Sequence, residues 1–305
     1  MTTHPLQRLL ALLLAAAAWL LPAAHARGAD VDRDGLDDGL EDQLLARHAP
    51  VVLLAPGEQA LPASVAWTLA RAPVEAPRPP RPRVMHASVV APLTALLLPD
   101  LDVAEAHLRL AGALRDGSAE AGEWRAYGHA YRAPDGGVLL GYWFFYPFND
   151  AFWAFDHEGD WEHVTVRLDA SGRPLGAWFA QHGDCAPGRW SAWSALAQEG
   201  GHPVVLSARG THASYPSIEA APLWERVCAV REPSAAAGAG CRAWHTLEGG
   251  VVNMGERGAP REGFVVWPGR WGATGGFGRE GPAAAPEGPA FQPGWCAEGA
   301  PGACP

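Results

Sequence analysis

The chain has 305 residues and a formal net charge of −10, and every one of its 23 basic side chains is arginine. Without lysine there is neither a phosphate-loop lysine nor a Schiff-base nucleophile. An acidic chain with no basic cluster is also a poor ligand for nucleic acid, whose affinity rests on phosphate neutralisation, and charge alone does not draw it to an anionic membrane.

Met1 to Ala26 reads as a secretory signal: Arg8, then the apolar run Leu9 to Leu21, then the small-x-small pattern Ala24-His25-Ala26. The run is shorter than the ~20 apolar residues that span a bilayer, and no other stretch reaches that length, so a secreted or periplasmic protein is expected. The expected units are this signal, a small element over 27–48 and one large domain over 49–305.

The small element opens with Asp30, Asp32 and Asp34, followed by Gly35, Leu36, Asp38 and Glu41. These fall at positions 1, 3, 5, 6, 7, 9 and 12 of a calcium loop: oxygen ligands, a glycine for the sharp turn, Leu36 offering its carbonyl and Glu41 arriving on the following helix. The alternative is a solvated acidic linker. Leu36, Leu40 and Leu44 recur every four residues and predict one short amphipathic helix. Residues 71–83, RAPVEAPRPPRPR, read as a connector unable to form a helix or an inner strand. A second helix is expected near 102–113.

Strands dominate the remainder. GVLLGYWFFYPF (137–148) has the composition of a buried strand, and EHVTVRLD (162–169) alternates before ASGR turns it into GAWFAQH (176–182). HPVVLS (202–207) and GFVVW (263–267) are further strands. Strand after strand joined by turns predicts a mostly β fold, an antiparallel β-sandwich with a few short helices and an aromatic core drawn from fourteen tryptophans. From about residue 272 the chain is Gly, Pro and Ala and is expected to run over the surface. The five cysteines, Cys185, Cys228, Cys241, Cys296 and Cys304, include no CxxC pair. In an exported protein they pair by default, with Cys228–Cys241 and Cys296–Cys304 the short-loop choice.

The chemistry concentrates at Asp156-His157-Glu158-Gly159-Asp160-Trp161-Glu162-His163. On a strand Asp160 and Glu162 share a face with Val164, Val166 and Leu168, so two carboxylates end a core-facing row and need a partner there. Gly159 permits a kink that swings His157 towards them. One His with two carboxylates suits Mg²⁺, Ca²⁺ or Mn²⁺ better than structural zinc, and the spacing is not HExxH. The alternative is a satisfied buried polar network. Asn149, Asp150, Gln181, His182, Asp184, Thr211 and His212 all lie where strands stop, at one end of a sandwich. His163, His182 and His212 are the candidate general bases of a divalent-metal-dependent hydrolase of phosphoesters or glycosides.

HAPVVLLAPGEQALPASVAW (48–67), YWFFYPFN (142–149), HEGDWEHVTVRL (157–168), AQHG (180–183), PVVLSARGTHASYP (203–216) and GRWG (269–272) resemble the vacuolar protein sorting-associated protein 62 family, in the family's order. More distantly, Tyr146, Asn149, His157-x-x-Asp160-Trp161-Glu162, Gln181-His182-Gly183 and Thr211-His212-Ala213 are similar in order to the necrosis- and ethylene-inducing-peptide-like cytolysins, metal-dependent β-sandwich toxins. That second resemblance implies a metal held by His157, Asp160 and Glu162, with the family's upstream Asp falling on Asn149 and Asp150 one place off. Its additional His falls on Gly159. The resulting expectation is a secreted metal-binding protein, a cytolysin-like effector directed at a membrane lipid or glycan headgroup. The rivals are the hydrolase and a non-catalytic surface binding module.

Overall fold

The computed structural model describes residues 29–76, 83–86, 106–151, 155–181, 190–229, 238, 240–273 and 284–295. The signal pattern, His182, Asp184, Cys185, Cys296 and Cys304 lie outside these residues.

The first element is α1 (Asp38–Arg47), where Asp37 caps the helix by accepting from the Leu40 amide at 3.1 Å. Asp38 and Glu41 in its first turn and Arg47 in its last complement the helix dipole. In chain order follow β1 (Val51–Leu54), α2 (Val65–Leu69), β2 (Pro73–Ala76), β3 (Arg83–His86), β4 (His107–Leu108), β5 (Ala126–Arg132), β6 (Val138–Asn149), β7 (His157–Leu168) and β8 (Pro174–Phe179). The remaining strands are β9 (Trp190–Ala192), β10 (Gln198–Glu199), β11 (His202–Ser207), β12 (Ser214–Tyr215), β13 (Arg242–His245), β14 (Val251–Asn253), β15 (Gly255–Glu256) and β16 (Ala259–Pro260).

Two sheets carry the fold. One has the order β14-β5-β6-β7-β8-β9; the other runs β10-β11-β1-β13, with β12 also paired to β11. Leu140, Tyr142, Phe144 and Tyr146 of β6 pack with Val164, Val166 and Leu168 of β7 against Val52, Leu54 and Val205 of the second sheet. That is the inside of a sandwich. The alternate residues Trp143, Phe145 and Trp161 face the other way, into a second layer with Tyr127, Phe264, Trp267 and Trp271. β6 is therefore apolar on both faces, which accounts for its unbroken hydrophobic run. Most pairings are antiparallel, but β1–β11 and β14–β5 are parallel, so the sandwich is mixed. α1 closes one end: Leu36, Leu44 and Leu45 join the inner core, and the Tyr142 hydroxyl donates to the Leu45 carbonyl at 3.0 Å.

Four expectations need correction. Residues 263–267 are not a strand. Gly263–Val266 is a 3₁₀ turn that buries Phe264, Val265 and Trp267 but exposes Val266, a spacing no strand gives. The helix near 102–113 is replaced over its described part by β4 and a 3₁₀ turn, Gly112–Asp116, with no buried apolar stripe. Within the Pro/Arg connector, β2 is the middle strand of a small sheet, between β3 and β4; Pro73 is its first residue, a position a strand tolerates. Past residue 272 the chain does not merely skirt the surface: Ala285, Ala290 and Trp295 are buried, and Trp295 stacks on His129 with ring centroids 3.8 Å apart. Cys228 and Cys241 form a disulfide, with Cα atoms 5.9 Å apart. Among the described residues no helix is long and apolar enough to cross a membrane.

Candidate functional site: an acidic cleft at one end of the sandwich

The cleft is built by a break in alternation. The β6–β7 ladder runs without a register shift from Val138↔Leu168 to Asn149↔His157. Regular pleating would put Glu158 on the same face as Asp160 and Glu162. Gly159, at φ 63°, reverses the faces below it. Glu158 turns outwards, fully buried, to accept from the Leu110 amide at 2.8 Å and from Arg115 at 2.9 Å. His157 turns the other way and, with Asn149, Asp160 and Glu162, lines one cavity of about 700 Å³. A Cβ at position 159 would stand 2.0 Å from the Trp271 carbonyl oxygen, so both the conformation and the close approach demand glycine.

Around these groups the cavity carries Phe155, Trp161, Thr211, Trp224, Arg270 and Gln292. Phe155 and Trp224 are 66% and 55% exposed and stand at the rim, beside the fully exposed Leu223. The His157 Nδ1 donates to the Gly159 carbonyl oxygen at 2.6 Å, since a carbonyl can only accept. Nδ1 is thus the protonated nitrogen, leaving the lone pair on Nε2.

Beneath the cleft lies a buried ionic ladder. His212 stacks on Tyr146 with centroids 3.8 Å apart, donates from Nδ1 to Asp160 Oδ2 at 2.8 Å, and places Nε2 3.6 Å from Glu58 Oε1. Glu58 also accepts from the amides of Ala60 at 2.9 Å and Gly210 at 2.7 Å. Burial works against the His212 charge, but Glu58 and Asp160 outweigh it and push the ring up to about 10. Burial likewise opposes ionisation of Glu58, and His212 with the two amides overrides it, holding the carboxyl down at about 2. The two carboxylates thus favour the charged ring, which disfavours His212 as a proton-accepting base.

The other sequence candidates separate. His163 lies on the outer face of β7, buried against Trp143 with centroids 4.2 Å apart, where burial pushes its ring down to about 3; it does not reach the cleft. This follows from strand alternation, since it neighbours Glu162 in sequence and so points away from it. Asp150 is exposed outside the cavity, in a shallower depression with Arg209 and Trp224, and its amide donates to Gly210 at 2.9 Å. Asn149 donates its side-chain amide to the Phe155 carbonyl at 2.9 Å, fixing the loop that carries the rim phenylalanine. Gln181 reaches Ser214 at 3.4 Å. Glu58, Arg270 and Gln292 carried no spacing signal in the sequence, because each arrives from a distant loop.

Among the described residues, the only sets of three or more His, Cys, Asp or Glu side chains whose ligand atoms all lie within 4.8 Å of one another are in the N-terminal loop: Asp30, Asp32 and Asp34, and Asp32, Asp38 and Glu41. His157, Asp160 and Glu162 share the cavity without being drawn together that tightly.

The fold and the cleft define a mixed β-sandwich with an acid–imidazole cleft and aromatic rim at one end. Residues 140–221, from β6 through β12, match the family model described as Vacuolar protein sorting-associated protein 62. The resemblance read from the sequence holds over this stretch. Vacuolar protein sorting-associated protein 62 of Saccharomyces cerevisiae is 32% identical to this chain, over 30% of this chain and 25% of the relative. The chain thus spans about a quarter of the length of the curated relative it matches. Solved structures similar in part include NLPPya in complex with mannosamine, at 14% identity and a TM-score of 0.33, covering 56% of this chain and 65% of that chain, just under two thirds. Another is Necrosis and Ethylene inducing Protein 2 from the causal agent of cocoa's Witches Broom disease, at 13% identity and a TM-score of 0.34, covering 69% and 73%.

Proposed function

We propose that this is an exported, non-catalytic recognition protein or cytolysin-like effector whose cleft binds a polyhydroxylated glycan headgroup. The observation that carries the reading is the convergence of His157, Asp160 and Glu162 in one open cavity rimmed by exposed aromatic side chains. Carboxylates accept from sugar hydroxyls in pairs, the His157 Nε2 lone pair accepts a third, and Arg270, Gln292 and Asn149 supply donors. Indole and phenyl faces suit the C–H face of a pyranose, and an aromatic rim suits the polar–apolar boundary of a membrane. The ligand set also fits a hard divalent cation, Mg²⁺, Ca²⁺ or Mn²⁺, whose open positions vicinal hydroxyls would complete. The export reading is supported by the Met1–Ala26 pattern and the Cys228–Cys241 disulfide. A hydrolase would have to take its base from His157, Asp160 or Glu162, or from His182 outside the described residues, since His212 is held as a cation between Glu58 and Asp160 and His163 faces away.

The rim and the cleft can be separated by experiment. Dye release from liposomes bearing a neutral glycolipid is expected for the native protein. It should fall more than tenfold in a Phe155→Ser, Trp224→Ser double variant, while binding of the free oligosaccharide headgroup changes less than threefold. Equal headgroup-free and headgroup-bearing leakage would remove the glycan from the reading; headgroup binding with no leakage would leave a binding module without lytic action.

A further inference from the structure

The second constellation stands at the far end of the sandwich from the cleft. Arg132, paired with the first residue of β6, donates to the Gly35 carbonyl at 3.2 Å, whereas the cleft lies at the last residues of β6. Here the chain buries carboxylate oxygens that no donor among the described residues meets. Asp32 is 6% exposed and Glu41 fully buried. Both carboxylate oxygens of Asp32, Oδ2 of Asp34 and Oε1 of Glu41 are shielded from solvent and accept no hydrogen bond among the described residues. All of them belong to the two overlapping clusters that share Asp32. Buried carboxylates left in this state are strongly destabilising, and no domain tolerates them in quantity.

The rest of the loop is already tied off in a way that leaves those oxygens pointing at one another. Asp34 Oδ1 accepts from the Leu36 amide at 2.7 Å, and Gly35 sits at φ 88°, turning the chain so that the acids converge. Glu41 Oε2 accepts from Asn253 at 2.8 Å, and Asn253 Oδ1 in turn accepts from the Gly255 amide at 3.0 Å. The Arg261 guanidinium binds Asp42 at 3.1 Å and comes no nearer to Glu41 than 3.8 Å, on the Oε2 side. The free corner of the cluster has only oxygen donors and no imidazole or thiolate, the chemistry of a hard cation of calcium's size.

We infer that Asp30, Asp32, Asp34, Asp38, Glu41 and the Leu36 carbonyl bind one calcium ion, and that this ion latches α1 onto the β14–β15 edge of the sandwich. The latch works through Glu41, which holds the ion with one oxygen and Asn253 with the other. Leu36, Leu44 and Leu45 can then enter the inner core without carrying uncompensated charge against it. The site is independent of the cleft and of any headgroup.

Calcium titrations of the full chain, with thermal melts and backbone hydrogen exchange, test it. Relative to EGTA, calcium at a hundredfold excess over its dissociation constant should raise Tm by roughly 5–10 °C and slow exchange over 251–256. Magnesium should do much less. Asp32→Asn should abolish the calcium shift yet melt no lower than the native protein in EGTA, because it relieves buried repulsion. Asp38→Asn, at a half-exposed ligand position that folding tolerates, should weaken calcium affinity at least tenfold. Identical native melts in calcium and EGTA would overturn the site. A shift that persists in Asp32→Asn but disappears in Glu162→Gln would move the ion to the cleft and overturn it equally. Calcium binding with unchanged exchange over 251–256 would overturn the latch.

Discussion

Gly159→Ala is expected to cost about 3–5 kcal/mol and to dismantle the cleft. An alanine at a left-handed φ carries about 1–2 kcal/mol of strain. Its Cβ would also lie 2.0 Å from one backbone oxygen, which no rotamer change relieves. The cheapest escape is a return to ordinary pleating, and that exchanges two side chains at once. Glu158 would leave Arg115 and swing into the cleft, and His157 would leave it. The measurement is the urea midpoint, with m unchanged if folding stays two-state. The variant should also lose any ligand that the cleft binds. A midpoint within error of the native value would mean that the φ and the contact with Trp271 do not constrain β7.

Glu158→Ala should be nearly as damaging, at about 3–5 kcal/mol. The carboxylate is fully buried and ties two segments distant from it in sequence, 109–115 and the stretch at residue 273. Its partners there are the Leu110 amide at 2.8 Å, Arg115 at 2.9 Å, the Ala273 amide at 3.3 Å and, more loosely, Arg109 at 3.9 Å. Deleting it strands buried donors and loosens both the 3₁₀ turn at Gly112–Asp116 and the segment after Trp271. Glu158→Gln keeps an acceptor for Leu110 but not the charge, and should cost about half as much. Equal, small losses in the two variants would show that solvent replaces the carboxylate, so that Glu158 is not the tie between these layers.

How far the sequence discloses this architecture depends on whether the deciding contact is local. The β7–β8 hairpin was legible because period-two alternation and the ASGR turn lie within one stretch, and Asp169 accepts from the Ser171 and Arg173 amides as such a turn needs. The turn of His157 towards Asp160 was legible because only glycine makes that kink cheaply. Cys228–Cys241 followed from the shortness of the loop. What escaped was long-range. GFVVW has a strand's composition, yet its burial is set by the aromatic layer that Phe264 and Trp267 fill. Pro73–Ala76 became a middle strand because β3 and β4 reach it from beyond a connector. Glu58 reads as one acid in a Gly/Gln turn. It becomes the anchor of His212 only when β1 and β11 lie side by side and bring residue 58 beside residue 210. His163, beside the acids in sequence, is placed by the same pleating on the opposite face.

The central claim is that His157, Asp160 and Glu162 act together on one ligand. Isothermal titration of a neutral oligosaccharide headgroup into Asp32→Asn protein, with and without Mn²⁺, tests it most directly. The Asp32→Asn background silences the N-terminal loop, so any remaining ion belongs to the cleft, and vicinal hydroxyls of the sugar can complete that ion's open positions. The account expects one Mn²⁺ per chain and sugar binding strengthened at least tenfold by the ion. Both should be lost in Glu162→Gln, with little further loss when Asp160→Asn is added, because groups that share a ligand are not additive. No bound ion, together with a sugar affinity that Glu162→Gln leaves unchanged, would contradict it.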